Sequence, residues 1–583
     1  MPATPALKRS ELTPDSRREH LARLRAATAD APLDVLVVGG GVNGAGAAFD
    51  AATRGLGVGL VEARDWASGT SSRSSKLMHG GLRYLQMLDF KLVAEALRER
   101  DLLIERTAPH LVKPIKFVFP FFKKVIDRGF IGSGVLLYDA MQSVGRKRAV
   151  PFHRHLLHAK MLEVFPALDG DKAVGALEYY DAQMDDARFV MMLVRSAAQH
   201  DAAVANYTTV IDYLHDGPRV IGARVRDEET GEEFDIHARE TILAGGVWTQ
   251  EQQELADADA GLEVLASKGI HVTVARDRIP AVPDTGIITQ TEKSVLFIIP
   301  WDEYWVIGTT DTPWTEDVAH PAATSTDIDY VLEHANAILA QDLTREDVIG
   351  VYTGLRPLLQ PVKKAGGGAS TKVSREHTVM EVEPGLSAIA GGKFTTYRVM
   401  AEDVVDFAIR EDQPGRPSLT RTVPVIGAQG YAALVREKAE IAARYGFDEI
   451  RMDRLLFRYG TLLHDVLALI DEDPSLGTPL EHAPRYLRAE AVYAVRAEGA
   501  RHLADVLQRR TRLDYETRDR GADAADEIAA LVGPLLGWDA ATTAREVETY
   551  RAFIDARLAS EATSDDASAA RAAASAPEVP ARS

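Results

Sequence analysis

The segment LDVLVVGGGVNGAGAAFDAATRGLGVGLVEA, Leu33 to Ala63, constrains the fold of this 583-residue chain more than any other stretch. An apolar run, Val35 to Val38, enters Gly39-x-Gly41-x-x-Gly44, a small-residue stretch follows at helical spacing, and a second apolar run ends at Glu62. This order predicts strand, glycine turn, helix, strand, a βαβ unit of the dinucleotide-binding kind. The glycines let the backbone turn tightly and approach a pyrophosphate at the helix N-terminus. The Glu62 carboxylate is placed to accept hydrogen bonds from an adenosine ribose and to repel a 2'-phosphate.

The fingerprint alone does not separate NAD from FAD. An NAD domain usually continues with further βα units, whereas here a polar segment, GTSSRSSKLMHGGLRYL from Gly69 to Leu85, follows within a few residues. A second strand-glycine-helix unit, LSAIAGGKFTTYRVMAEDVVDFAI, arrives only at Gly391 and Gly392. Two separated halves of one site point to FAD, with a helix N-terminus and Lys393 aimed at the flavin pyrimidine edge, where reduction builds negative charge. The absence of cysteine excludes disulfides, thiolate metal sites, iron-sulfur clusters and dithiol redox chemistry, so if the chain is a redox enzyme a cofactor carries the electrons.

The formal net charge of -19 disfavours nucleic acid and leaves any contact with anionic lipid to a local patch. The candidate is HLVKPIKFVFPFFKKVIDRGF, His110 to Phe130, with five lysine or arginine residues, one aspartate and five phenylalanines. It reads either as an interfacial membrane patch or as a half-buried strand pair. The N-terminus does not resemble a secretory signal, and no apolar stretch approaches a spanning helix. The expected location is cytoplasmic, with peripheral membrane attachment left open. The cluster HRHLLH, His153 to His158, lacks metal-ligand spacing, so no metal site is expected.

Along the chain, residues 1–30 read as a charged extension, 31–412 as an oxidoreductase region of mixed α/β texture, 420–560 as a helical domain, and 561–583 as a disordered tail of Ala, Ser, Asp and Pro. The linker REDQPGRP separates the oxidoreductase region from the helical one.

Several stretches, among them GTSSRSSKLMHGGLRYLQ, YYDAQMDDAR, SKGIHV, VIGTTDT, YTGLRPL, VSREH and AGGKFTTYR, occur in the order of the signature stretches of the FAD-dependent glycerol-3-phosphate dehydrogenases, and the chain resembles that family from about Leu33 to Ser560. The resemblance implies an α/β plus α fold. A discontinuous, Rossmann-like FAD-binding domain of the glutathione-reductase type (roughly 31–95, 175–265 and 350–412) would interleave with a β-rich substrate domain (roughly 96–174 and 266–349), capped by helices. It also implies oxidation of sn-glycerol 3-phosphate to dihydroxyacetone phosphate, hydride going to flavin N5 and electrons to a membrane quinone.

The family's substrate-binding arginines correspond to Arg83, Arg356 and Arg375, and guanidinium groups suit a dianionic phosphate. Thr309 and Thr310 are lesser hydrogen-bonding candidates. His79 and His271 both fall in family motifs; His79 is favoured as base beside the flavin, with His271 or Arg356 orienting the hydroxyl and Lys393 stabilising developing charge. The expected cofactor contacts are Gly39, Gly41, Gly44, Glu62, Thr70, Ser71, Ser75, Lys76, His79, Gly80, Gly245, Gly392 and Lys393. The physiological acceptor, a homodimer and covalent attachment of FAD stay open, and an oxidase using O2 or an amino-acid oxidase-like flavoenzyme are the alternatives.

Overall fold

The computed structural model describes residues 9–80, 90–122, 149–256, 263–290, 295–360, 377–410 and 415–577. Two sheets dominate it. In the eight-stranded sheet the strands Leu33–Val38, Val58–Val61, Glu233–Leu243 and Leu386–Gly391 are parallel neighbours, with Val38 beside both Leu243 and Val61. Val35, Leu36 and Val37 are fully buried, as expected for a parallel strand covered on both faces. The helix Val42–Thr53 has Ala45, Ala47, Ala48, Ala51 and Ala52 at its buried positions. Side chains this small let it lie close between the sheet and the helices Asp186–Gln199 and Tyr397–Ala408.

The ten-stranded sheet is mostly antiparallel and is built around the long strand Glu263–Ala275, which pairs with Val348–Gln360 and Tyr304–Gly308. Two stretches expected in the cofactor half belong here instead: Gly175–Met184 pairs with Val112–Phe121, and Val348–Gln360 lies across Glu263–Ala275. Each is continuous in sequence with a cofactor segment, so sequence reasoning had no boundary to detect. Val112–Phe121 is also where the membrane candidate begins. Phe117, Phe119 and Phe121 are buried within the sheet, which corrects the interfacial reading for these three rings; Lys123 to Phe130 lie outside the described residues.

Both ends depart from expectation. The charged extension contains the helix Pro14–Arg25, capped by Thr13, with Leu21 and Leu24 buried against the eight-stranded sheet and Arg17 paired with Asp227. The expected disordered tail instead forms the helix Asp566–Ala573, whose Ala569 and Ala570 sit on Trp314 and Leu355.

The C-terminal domain comprises helices such as Glu449–Tyr459, Leu463–Glu472, Arg488–Ala497 and Ala540–Glu561 around two apolar cores. The run EAVYAVRAEGARHLADVL is not one helix: it stops at Ala497, turns at Gly499 in the left-handed region, and resumes as a short helix that leads into a π-helical turn, Val506–Thr511.

Candidate active site

A cavity of about 540 Å³ opens at the carboxyl ends of the parallel strands and continues to the ten-stranded sheet. Strand ends are where open α/β sheets bind ligands. At one end Gly39 has φ +109°, and a Cβ there would lie 2.6 Å from the Ala244 carbonyl oxygen. Gly44 lies outside the cavity lining and acts differently from expectation: its Cβ would fall 1.8 Å from the Gly39 carbonyl oxygen, so its bare Cα lets helix and strand approach. Glu62 lines the cavity and accepts N–H bonds from Gly40 (2.6 Å) and Arg64 (2.9 Å). Burial raises its carboxyl above the ordinary range, and those two N–H groups oppose the rise.

The polar segment after Gly69 binds the protein to itself more than expected. Thr70 donates to the Leu355 carbonyl at 2.6 Å, and Ser71 Oγ accepts from the Val42 N–H at 3.0 Å, bracing the first turn of the fingerprint helix. Both line the cavity. Lys76 does not: its ammonium is buried 2.9 Å from Asp186, its N–H donates to Ser74 Oγ, and its carbonyl accepts from Met184. That removes it from the expected cofactor contacts. A left-handed backbone at Lys76 (φ +57°) turns its side chain to the far side of the segment. Gly80 is likewise turned away, its N–H directed at Asp181 (3.4 Å).

Farther along the cavity, Ser75 Oγ and His271 Nε2 are hydrogen-bonded at 2.8 Å. The imidazole is 2 % exposed and stacks on Tyr352 at 4.7 Å and 12°. Burial first, then the Arg356 and Lys76 cations, hold its pKa well below the usual histidine value, so the ring is neutral at neutral pH. Arg356 lines the cavity; its Nη2 donates to Thr309 Oγ1 (2.9 Å) and the Thr310 carbonyl (3.1 Å), and its Nη1 lies 3.3 Å from Asp311. Thr309 thus orients the guanidinium, while Thr310 is buried and its hydroxyl takes the Ile270 N–H, so neither threonine lines the cavity as a ligand contact.

His79 lines the same cavity, its backbone clasped by Thr395, whose Oγ1 accepts from the His79 N–H and donates to the His79 carbonyl. Gly245, Gly392 and Lys393 also line it, Lys393 just before the helix Tyr397–Ala408. Arg83 and Arg375 lie outside the described residues.

Sequence reasoning missed Arg64, Arg73 and Trp248, all lining the cavity. The Arg64 guanidinium lies 5.0 Å over the Trp248 ring, and Arg73 donates to the Thr353 carbonyl, its pKa lowered to about 10 by burial and by Arg557 and Arg509. The signal for Arg73 was present, a cation in the middle of TSSRSS, but nothing local tells which side of the segment it faces. The glycine turn, the backbone N–H groups of the fingerprint helix, Glu62 at the second strand end, and Gly392 and Lys393 from the late unit together fit a flavin dinucleotide.

A family model for FAD dependent oxidoreductases matches residues 34–398, and one for the C-terminal domain of alpha-glycerophosphate oxidase matches residues 418–543. Glycerol-3-phosphate dehydrogenase 2 of Mycobacterium bovis is 51 % identical over 548 residues, covering 94 % of this chain and 92 % of that protein. The mitochondrial glycerol-3-phosphate dehydrogenase of Arabidopsis thaliana is 35 % identical over 93 % of this chain and 89 % of its own length. The crystal structure of the glycerol-3-phosphate dehydrogenase from Bacillus halodurans, complexed with FAD, superposes with a TM-score of 0.76 at 27 % identity, covering 93 % of this chain and 98 % of that one. The matches span the oxidoreductase region and the helical domain alike, the cofactor is FAD, and the chain belongs to the family of FAD-dependent glycerol-3-phosphate dehydrogenases.

Proposed function

We propose that the chain oxidises sn-glycerol 3-phosphate to dihydroxyacetone phosphate and passes the electrons to a membrane quinone. The observation that carries this reading is the shared cavity: the dinucleotide fingerprint and Glu62 line one part, and a neutral His271 beside the Arg356 guanidinium lines the other. When bound, FAD supplies the acceptor for the hydride of the secondary carbinol. Gly39, Gly41, Glu62, Thr70, Ser71, Gly245, Gly392 and Lys393, which line the cavity, would hold it.

Arg356 binds the substrate phosphate, its guanidinium oriented by Thr309, with Arg83 and Arg375 as further cations. The hydroxyl proton passes to Ser75 Oγ as the Ser75 proton moves to His271 Nε2. Arg356 is one of the two cations that depress His271, so a phosphate dianion on Arg356 raises the basicity of the imidazole when substrate arrives. His79, which lines the same cavity, would orient the carbinol, and Lys393 would supply positive charge where flavin reduction builds negative charge.

An exposed apolar edge supports the quinone part of the reading. Phe122 (43 % exposed) and Leu157 (67 %) lie at the same end of the two strands that flank Gly175–Met184, and Phe152 (58 %) just precedes the strand Arg154–Leu157. Replacing all three by serine is expected to lower binding to anionic vesicles without changing flavin content; unchanged vesicle binding removes this edge from the proposal.

The central experiment is anaerobic addition of sn-glycerol 3-phosphate to the purified holoenzyme. Bleaching of the visible band of oxidised flavin is expected, with restoration by a short-chain quinone; no bleaching overturns the substrate. The oxidase named in the C-terminal family model motivates a second reading, which stoichiometric hydrogen peroxide on aeration would favour.

A further inference from the structure

Ser74, Ser75 and Lys76 form a turn whose members face different ways. Ser75 meets His271 in the cavity, and the left-handed backbone at Lys76 sends its side chain behind the site. There Asp186, the first residue of the helix Asp186–Gln199, is completely buried and collects donors. Its Oδ2 accepts from the Ser74 N–H (2.9 Å) and the Ser74 hydroxyl (2.8 Å), and its Oδ1 accepts from Lys76 Nζ (2.9 Å), the Ala187 N–H (2.9 Å) and Arg512 Nη2 (3.0 Å). A buried carboxylate this fully bonded is a rigid anchor, because moving any one donor leaves an unsatisfied charge.

Arg512 comes from the helical domain. It stands at the end of the π-helical turn, itself left-handed (φ +111°), and its guanidinium also pairs with Asp185, which Arg458 engages at 3.2 Å. The same domain holds the other side of His271. Tyr352 has the imidazole stacked against it and Tyr515 4.9 Å away, and its hydroxyl donates to the Ser74 carbonyl at 3.0 Å. Tyr515 accepts through its carbonyl from Thr273, two residues along the strand from His271. Lys76 Nζ lies 4.8 Å over the Tyr352 ring and 5.2 Å over the Tyr515 ring, a cation held by aromatic faces as well as by Asp186.

The nitrogen that bonds Ser75 and the ring face that stacks on Tyr352 are therefore fixed by one network, and that network ends on Arg512. We propose that Asp186, anchored by Arg512 of the helical domain, is a positioning residue for His271, acting through the Ser74–Lys76 turn. The helical domain is on this account part of the catalytic apparatus, although none of its residues lines the cavity among the described ones. The proposal rests on His271 as proton acceptor, and its test separates the two.

In the holoenzyme, Ser74→Ala, Asp186→Asn and Arg512→Lys are compared with Ser75→Ala and His271→Asn. The readouts are kcat, KM, the pH dependence of kcat/KM, and the rate at which diethyl pyrocarbonate acylates His271, followed by peptide mass spectrometry. Ser74→Ala and Asp186→Asn are expected to lower kcat about tenfold to a hundredfold with KM little changed and flavin bound, since a loosened base loses orientation. Acylation of His271 is expected to become several-fold faster.

Asp186→Asn also leaves the Lys76 ammonium less compensated. Besides Ser75 and Tyr352, the charged groups that act on His271 are Arg356 and Lys76, so the acidic limb of the profile moves to lower pH. If Asp186→Asn does not fold, Ser74→Ala and Tyr352→Phe, which change no charge, carry the test. Acylation and pH profile identical to the unsubstituted enzyme overturn the positioning role, including when activity falls only in step with melting temperature. Full activity in His271→Asn overturns the proton-acceptor assignment, and faster acylation in Ser74→Ala then still upholds the positioning.

Discussion

Arg510 of the helical domain grips Asp65 with two parallel bonds, Nη1 to Oδ2 at 2.6 Å and Nη2 to Oδ1 at 2.7 Å, and both side chains are buried. Asp65 stands three residues beyond Glu62, in the loop whose Ala67 N–H bonds the Gly40 carbonyl, so the grip reaches the glycine turn itself. Arg509 engages the same carboxylate. Arg510→Leu is expected to destabilise the protein by about 1.5–3 kcal/mol, because it takes the paired bonds from a buried aspartate and leaves Arg509 as its remaining cation. Urea unfolding measures this, and flavin fluorescence is expected to report weaker FAD binding in the same variant.

Gly44→Ala tests the fingerprint without touching a charge. The added methyl would meet the Gly39 carbonyl oxygen at 1.8 Å and the Ala244 Cβ at 3.3 Å, and neither is the end of a flexible side chain that could yield. The expected product is a folded protein that purifies with little FAD, read as the ratio of flavin absorbance to protein. A variant with full flavin content contradicts the close helix-strand approach.

Arg356→Ala is expected to raise KM for glycerol 3-phosphate by roughly ten- to a hundredfold, the loss of a charge-assisted bond worth about 1.5–3 kcal/mol, with flavin content unchanged. The same substitution removes one of the cations that keep His271 neutral, so the acidic limb of kcat/KM moves to higher pH. Steady-state kinetics across pH checks both effects together.

His502 gives a pH dependence of stability. It bridges Glu229 of the oxidoreductase region (3.0 Å) and Glu546 of the helical domain (2.9 Å). Burial opposes its charge, but the two carboxylates raise its pKa to about 10, while Glu229, which burial alone would raise, is lowered to about 2 by His502 and Arg501. Since the folded value of His502 exceeds the unfolded one, its contribution is complete below about pH 6.5 and is lost as pH rises towards 10. Glu229 acts oppositely: its contribution is present above about pH 4.5 and lost as pH falls towards 2. Melting temperature is expected to decline from neutral to alkaline pH, and His502→Gln is expected to flatten that decline.

The parts of the fold legible in the sequence are those made by neighbours. Gly39 to Glu62 needed no distant partner to be read, because strand, turn and helix succeed one another, and the second unit around Gly392 was readable for the same reason. Lys76 was misassigned because its partner Asp186 is 110 residues away and Arg512, which shares that carboxylate, is 436 away, and no local pattern says which face of a polar turn is inward. Phe117, Phe119 and Phe121 alternate with basic and apolar residues much as an interfacial strand would, and only pairing with Gly175–Met184 decides that they are covered. The alanines of the tail offered little apolar area, yet small size is what lets a helix lie flat on an indole.

That tail makes the last prediction. Lys268 is buried on the long strand that also carries His271, and its ammonium pairs with Asp327 at 2.5 Å and with Asp566 of the terminal helix. The helix brings Ala569 and Ala570 onto Trp314 and Leu355, next in sequence to Arg356. Ending the chain after Ala562 removes Asp566 and uncovers Trp314, while Asp327 still satisfies the lysine. The loss is therefore a few buried methyl groups and the more exposed half of an ion-pair network, about 1–3 kcal/mol, not a collapse of the sheet. Tryptophan emission is expected to shift to the red and the melting temperature to fall by a few degrees. KM for glycerol 3-phosphate is expected to rise with them, because the strand segment bearing Arg356 loses its outer support. A truncated enzyme with unchanged emission would mean that the terminal helix does not rest on Trp314 in solution.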